Sequence, residues 1–187
     1  MIGFVGAPST GKTTLARAVA NEMGMRGHSV EFVAEYARTY IQRFGPMDFI
    51  HEQLVVFDTQ ARMEDDAIGT GAEFVVAETP VFTGYAYGLA KLDYPPSPKA
   101  LEALQTLHRW THARLGLYDR IFYVPIEFPL QRDGTRAETE GARLELDRKL
   151  WACLELWIPS YTVVHGEPEA RMGIVMGAVF PSRRRKA

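Results

Sequence analysis

Apolar runs alternate with helical stripes along this chain. Residues 1–5 (Met-Ile-Gly-Phe-Val) and 74–77 (Phe-Val-Val-Ala) are apolar throughout, as strands buried on both faces of a parallel sheet are. Residues 30–34, 121–124 and 161–164 read as three more strands. The spacing between them predicts helices over 12–25, 39–44, 49–68, 81–92, 99–117, 142–158 and 169–179. The breaks fall at Gly27-His28-Ser29, Gly45-Pro46, Gly69-Thr70-Gly71 and Pro159, residues that stop helices or turn the chain. Asp48 is the expected cap of the long helix. Tyr94-Pro95-Pro96-Ser97-Pro98 reads as a surface turn and residues 130–141 as a polar loop. This alternation predicts an α/β fold of βαβ units, with a parallel sheet covered on both faces.

Between the first strand and the first helix stands Gly6-Ala7-Pro8-Ser9-Thr10-Gly11-Lys12-Thr13, followed by Thr14. A strand, then G-x-x-x-x-G-K-[ST], then a helix is the phosphate-binding P-loop in its required setting. Gly6 and Gly11 permit a backbone on which successive N–H groups face inward, and the helix start adds its positive end. Lys12 is placed to reach the β- and γ-phosphates, and the Thr13 hydroxyl to hold Mg²⁺. The implied ligand is a nucleoside triphosphate, ATP with Mg²⁺.

Ligands of open parallel sheets collect beyond the carboxyl ends of the strands. That rule selects Glu35 and Arg38 after the second strand, Glu78 after the third, Glu127 after the fourth and His165-Gly166-Glu167 after the fifth. In phosphoryl transfer Glu78 would hold Mg²⁺ or orient the acceptor, and Glu35 would take the proton of an attacking hydroxyl. The plain alternatives are a helix-capping role for Glu78 and an ion pair between Glu35 and Arg38, which is itself suited to gripping phosphate. Gln131-Arg132-Asp133-Gly134-Thr135-Arg136, with Arg143 and Arg148 beyond, is arginine-rich. Arg132 and Arg136 are the first choices for closing over the γ-phosphate. The competing reading is a solvated, self-compensating face, because Glu138, Glu140, Glu145 and Asp147 are interleaved.

Composition narrows this little. The 187 residues, 47% of them hydrophobic, suit one domain over residues 1–181, followed by a basic tail over 182–187. The motif begins at residue 6, so no domain is expected before it. Without the four basic side chains of that tail, 17 basic residues face 23 acidic ones. The tail is either a contact for phosphate backbones or a solvated end. One cysteine, Cys153, no spanning run and no signal-like opening give a cytoplasmic expectation with no membrane partner. Cys153 reads as a core residue. His108 and His112 share a helix face but lack the acid of an H-E-x-x-H site, and the basic stretch around Arg109 and Trp110 reads as a partly packed helix.

No guanine-recognition motif and no transporter signature is present. The P-loop, Glu35-Tyr36-Ala37-Arg38-x-Tyr40, Ala77-Glu78-Thr79, and Asp133-Gly134-x-Arg136 followed by Asp147-Arg148 together resemble the ribosylnicotinamide-kinase-like P-loop family. The family often has aspartate where Glu78 stands. The resemblance implies a five-stranded parallel sheet in the order 2-3-1-4-5, an ATP·Mg²⁺ donor and a nucleoside-type hydroxyl as acceptor. Stand-alone members of similar length include phage hydroxymethyluracil DNA kinases, which points to DNA as the acceptor; a nucleoside kinase is the close alternative. A non-catalytic ATP switch is the alternative of another class. By fold analogy adenine lies near Gly166-Glu167-Pro168, with Arg171 close.

Overall fold

The computed structural model describes residues 1–131 and 139–181. Its sheet has five parallel strands, β1 (Ile2–Val5), β2 (Val30–Val33), β3 (Phe74–Ala77), β4 (Arg120–Tyr123) and β5 (Thr162–Val163), in the order β2-β3-β1-β4-β5. β1 lies between β3 and β4, and all four of its residues are buried. Its uniformly apolar run places it at the centre of the sheet.

Alternate residues feed two cores. Ile2 and Phe4, with Val76 and Phe122, pack on Leu15, Ala16, Val19 and Met23 of α1 (Lys12–Met25) and on Val175 and Met176. Those last two belong to the final helix (Pro168–Val179). Val5, Ile121 and Tyr123 point to the other face, against Leu146, Leu150, Cys153 and Leu154. That period of two is the pleat of the strand, so helices cover both faces. Cys153 is a buried core residue, and burial pushes its thiol up to about 11. The period-3.6 stripe of α3 (Ile50–Gly69) faces inward, but it carries Gln53, Gln60 and Glu64 among its buried residues.

Several boundaries differ from the sequence reading. α2 (Tyr36–Phe44) begins directly after Glu35, because Glu35 itself is the extended residue at its start. The cap of α3 is Phe49, not Asp48; the Glu52 carboxylate turns back to accept the Asp48 and Phe49 N–H groups. The segment after β3 opens with a tight turn, Val81–Thr83, and only then forms α4 (Gly84–Leu89). α5 (Pro98–Arg114) is shorter than expected, its last residues winding tightly at Leu115–Leu117. α6 (Glu140–Trp157) starts two residues earlier, capped by the Thr139 hydroxyl. α7 is Pro168–Val179, with Pro168 in its first turn.

Among the described residues no helix is long and apolar enough to cross a membrane. The tail over 182–187 lies outside the described residues.

Candidate active site

The carboxyl end of β1 runs straight into residues 6–13. Gly6 is required by a close approach: a Cβ there would lie 2.3 Å from the Val124 carbonyl oxygen. Gly11 ends the loop at φ 86, in the left-handed region that glycine alone enters freely. Ser9, at φ 57, is the one non-glycine with positive φ among the described residues. Ala7, Pro8 and Thr10 are buried. The Thr10 hydroxyl donates to the Ala7 carbonyl at 2.9 Å, and Lys12 Nζ donates to the same oxygen at 3.1 Å. The lysine therefore lies along the loop's inner rim, 7% exposed. Thr14, in the first turn of α1, is exposed.

β3 delivers Glu78, 3% exposed, whose N–H donates to the Val33 carbonyl. Its carboxylate accepts the Thr13 hydroxyl. The two residues singled out from the sequence as Mg²⁺ holders thus meet across the β1–β3 seam. A hydroxyl and a carboxylate are hard oxygen donors, the kind Mg²⁺ takes while keeping waters in its remaining positions, so the pair fits the ion.

β2 delivers Glu35, 8% exposed. It lines a narrow cavity of about 30 Å³ with Ala37, Gln53, Phe57, Gln60, Thr79 and Tyr87 among its neighbours. Gln60 is committed to structure: its amide accepts the Tyr36 N–H at 2.8 Å and donates to the Ala34 carbonyl at 3.2 Å. Among the described residues Gln53 donates only to the Met47 sulfur, at 3.3 Å, a weak acceptor. The Thr79 hydroxyl is buried with no hydrogen-bond partner among the described residues. A buried hydroxyl without a partner is costly, and here it borders the cavity. Arg38, half buried in the first turn of α2, is not among the lining residues.

Behind this cavity Glu64 is fully buried. It accepts the Tyr118 hydroxyl at 2.7 Å and the Val81 N–H at 2.9 Å, and lies 3.4 Å from the Arg114 guanidinium. Burial pushes its carboxyl up to about 7, against the lowering pull of those partners. The network fixes the chain just beyond Glu78 and Thr79.

Two expectations change. Arg143 does not lie on a solvated face: it is fully buried and donates to the Phe128 and Ser9 carbonyls at 2.8 and 3.4 Å. Asp147 likewise faces inward, accepting the Tyr123 hydroxyl at 2.8 Å; burial raises its carboxyl above the usual range. Arg171 is close to Gly166 as expected, but its guanidinium is committed to protein groups, including the Thr10 carbonyl at 2.6 Å. Arg132 and Arg136 lie outside the described residues. His108 and His112 stand 3.1 Å apart at Nε2, packed on Trp157. No group of three or more metal-type side chains occurs among the described residues. Trp110 packs on Phe57, as a partly packed helix should.

The sequence reading missed Gln53 and Gln60. Their signal was present: both are polar positions on the inward stripe of α3, seven residues apart.

The fold is shared with solved structures. A NadR protein in complex with NR matches with a TM-score of 0.76 at 20% identity, covering 100% of this chain and 52% of that one. A NadR protein in complex with NAD and AMP-PNP matches at 0.68 and 18%, covering 100% and 50%. The chain thus spans about half the length of these NadR chains. A deoxyadenosine kinase from M. mycoides, with products dcmp and a flexible dcdp bound, matches at 0.63 and 11%, covering 95% and 97%. No curated protein sequence matches the chain. A family model does match, over residues 1–171, and by it the chain belongs to the AAA domain family.

Proposed function

We propose that this protein is an ATP-dependent phosphotransferase that moves the γ-phosphate to a primary hydroxyl of a nucleoside-type acceptor. The observation that carries the reading is the sharing of work among three strand ends. β1 presents a phosphate loop, β3 a carboxylate touching its threonine, and β2 a second carboxylate facing a cavity. An ATP-binding switch that only hydrolyses or signals needs the first two; the third, set in a cavity with an underused amide and an unpartnered hydroxyl, is what an acceptor site requires. The NadR and deoxyadenosine kinase likenesses support the same class.

The residues act by position and charge. The loop N–H groups and Lys12 hold the β- and γ-phosphates. Thr13 and Glu78 are the oxygen donors for Mg²⁺, which when bound screens charge on the transferring phosphoryl group. Glu35 takes the acceptor's hydroxyl proton as the new oxygen–phosphorus bond forms and the bond to the β-phosphate oxygen breaks, leaving ADP. Arg132 and Arg136 join the proposal on charge alone.

For the acceptor we propose the hydroxymethyl group of 5-hydroxymethyluracil in DNA, supported by the family resemblance and the basic tail; ribosylnicotinamide or another free nucleoside is the second reading. Incubation with γ-labelled ATP and Mg²⁺ decides. Label in hydroxymethyluracil DNA and none in thymine DNA supports the first, and label in nicotinamide riboside alone supports the second. ADP formed at equal rate with and without any acceptor would overturn both in favour of the switch.

A further inference from the structure

Two buried arginines, from helices far along the chain, end on consecutive carbonyls of the phosphate loop. Arg143 of α6 is fully buried and its Nη2 donates to the Ser9 carbonyl at 3.4 Å and the Phe128 carbonyl at 2.8 Å. Arg171 of α7, 3% exposed, donates through Nη1 to the Thr10 carbonyl at 2.6 Å and through Nε to the Gly166 carbonyl at 2.7 Å. Each cation is offset by carboxylates among the described residues: Glu140 stands 3.2 Å from Arg143, on which Asp147 also acts, and Glu127 stands 2.5 Å from Arg171. Arg171 also lies over the Phe128 ring at 4.7 Å, so it is held on several sides.

Peptide planarity turns these contacts into a statement about donors. The carbonyl of one residue and the N–H of the next share a rigid plane and point in opposite directions. Fixing the Ser9 carbonyl outward fixes the Thr10 N–H inward, and fixing the Thr10 carbonyl outward fixes the Gly11 N–H inward. The loop needs that help. Ser9, a residue with a Cβ, sits at φ 57, where a peptide flip relieves strain and would present a carbonyl to the phosphate. The carbonyl of Ala7, held from within by Thr10 and Lys12, precedes Pro8, which has no N–H to aim. The charge balance means that the arginines act on orientation rather than by adding net positive field.

We infer that Arg143 and Arg171 are positioning residues of the phosphate loop, one setting the Thr10 N–H and the other the Gly11 N–H for the triphosphate. The inference rests on the ATP-binding reading given above.

The test is ATP·Mg²⁺ affinity by calorimetry on wild type, Arg143→Met and Arg171→Met, with Arg114→Met as a comparison. Arg114 is a half-buried arginine, paired to Glu64 and Asp65, with its hydrogen bonds among the described residues going to α3 and not to the loop. Wild type that binds no ATP overturns the parent reading, not this one. With wild-type binding present, each loop variant is expected to lose at least tenfold in affinity per folded molecule, and Arg114→Met to lower the melting temperature with affinity kept within twofold. The amide resonances give a sharper readout: on adding ADP, Arg171→Met loses the Gly11 shift and Arg143→Met the Thr10 shift. If a methionine variant does not fold, the lysine variant is measured instead; it keeps one bond and is expected to fall between. Affinity and both amide shifts unchanged in folded variants would overturn the inference.

Discussion

The proposed donor and acceptor halves of the site are built by opposite means. The phosphate loop is one contiguous stretch, residues 6–13, whose inner surface is backbone. It is held from within by Thr10 and Lys12 on the Ala7 carbonyl, by Glu78 at its end and by two buried guanidiniums behind. The cavity beside Glu35 draws its walls from the start of α2, from α3, from the turn after β3 and from α4. α2, which borders it, has no fully buried residue. A loop that binds the same triphosphate every time is served by rigidity. A cavity that must admit one acceptor and refuse others is served by side chains, which vary without disturbing the sheet.

The largest expected effect strikes the donor half alone. Lys12→Ala removes the one mobile cation of the loop and should lower turnover by roughly three orders of magnitude, with the melting temperature little changed. A variant retaining wild-type turnover would break the assignment of the donor half.

Gln53→Leu should sharpen the contrast from the other side. Removing the underused amide is expected to raise the acceptor KM about tenfold, the effect of losing one hydrogen bond of about 1.4 kcal/mol, while the ATP dissociation constant stays put. Initial-rate kinetics with each substrate varied in turn would check it; a change confined to ATP would assign Gln53 to the wrong half.

The smallest effect is on stability. Glu64 has its folded carboxyl raised to about 7 from an ordinary 4.5, so the fold favours its protonated form. The contribution is fully present below about pH 4.5 and is lost as pH rises through about 7, on the order of 3 kcal/mol from the shift in full. Wild type should therefore lose stability between about pH 4.5 and 7, and Glu64→Gln, which cannot ionise, should lose less. Parallel pH slopes in thermal melts would remove Glu64 from that role.

The same contrast explains what could be read from residues alone. The parallel sheet, the loop, and the pairing of Thr13 with Glu78 follow from local signals: an all-apolar strand, a motif between strand and helix, an acid at a strand's end; the strand order came only with the family resemblance. Glu35 followed from the same strand-end rule, but its cavity did not. Gln53 and Gln60 belong to a helix whose inward stripe is mostly apolar, and attention to its periodicity passed over the polar members. Arg143 was less legible still. It stands among Glu140, Glu145 and Asp147, which reads as a solvated face, and its partner Ser9 is 134 residues away. Arg171 and Thr10 are 161 apart. Nothing local in a sequence announces that a cation will be buried against a distant carbonyl.

The account's central claim is that Glu35 serves the acceptor and not ATP. Glu35→Gln keeps the shape and removes the base, so turnover and ATP affinity measured on that one variant test the claim directly. The account predicts turnover at least a hundredfold lower, with the ATP dissociation constant within twofold of wild type. Undiminished turnover, or a loss that appears only in ATP binding, would contradict it.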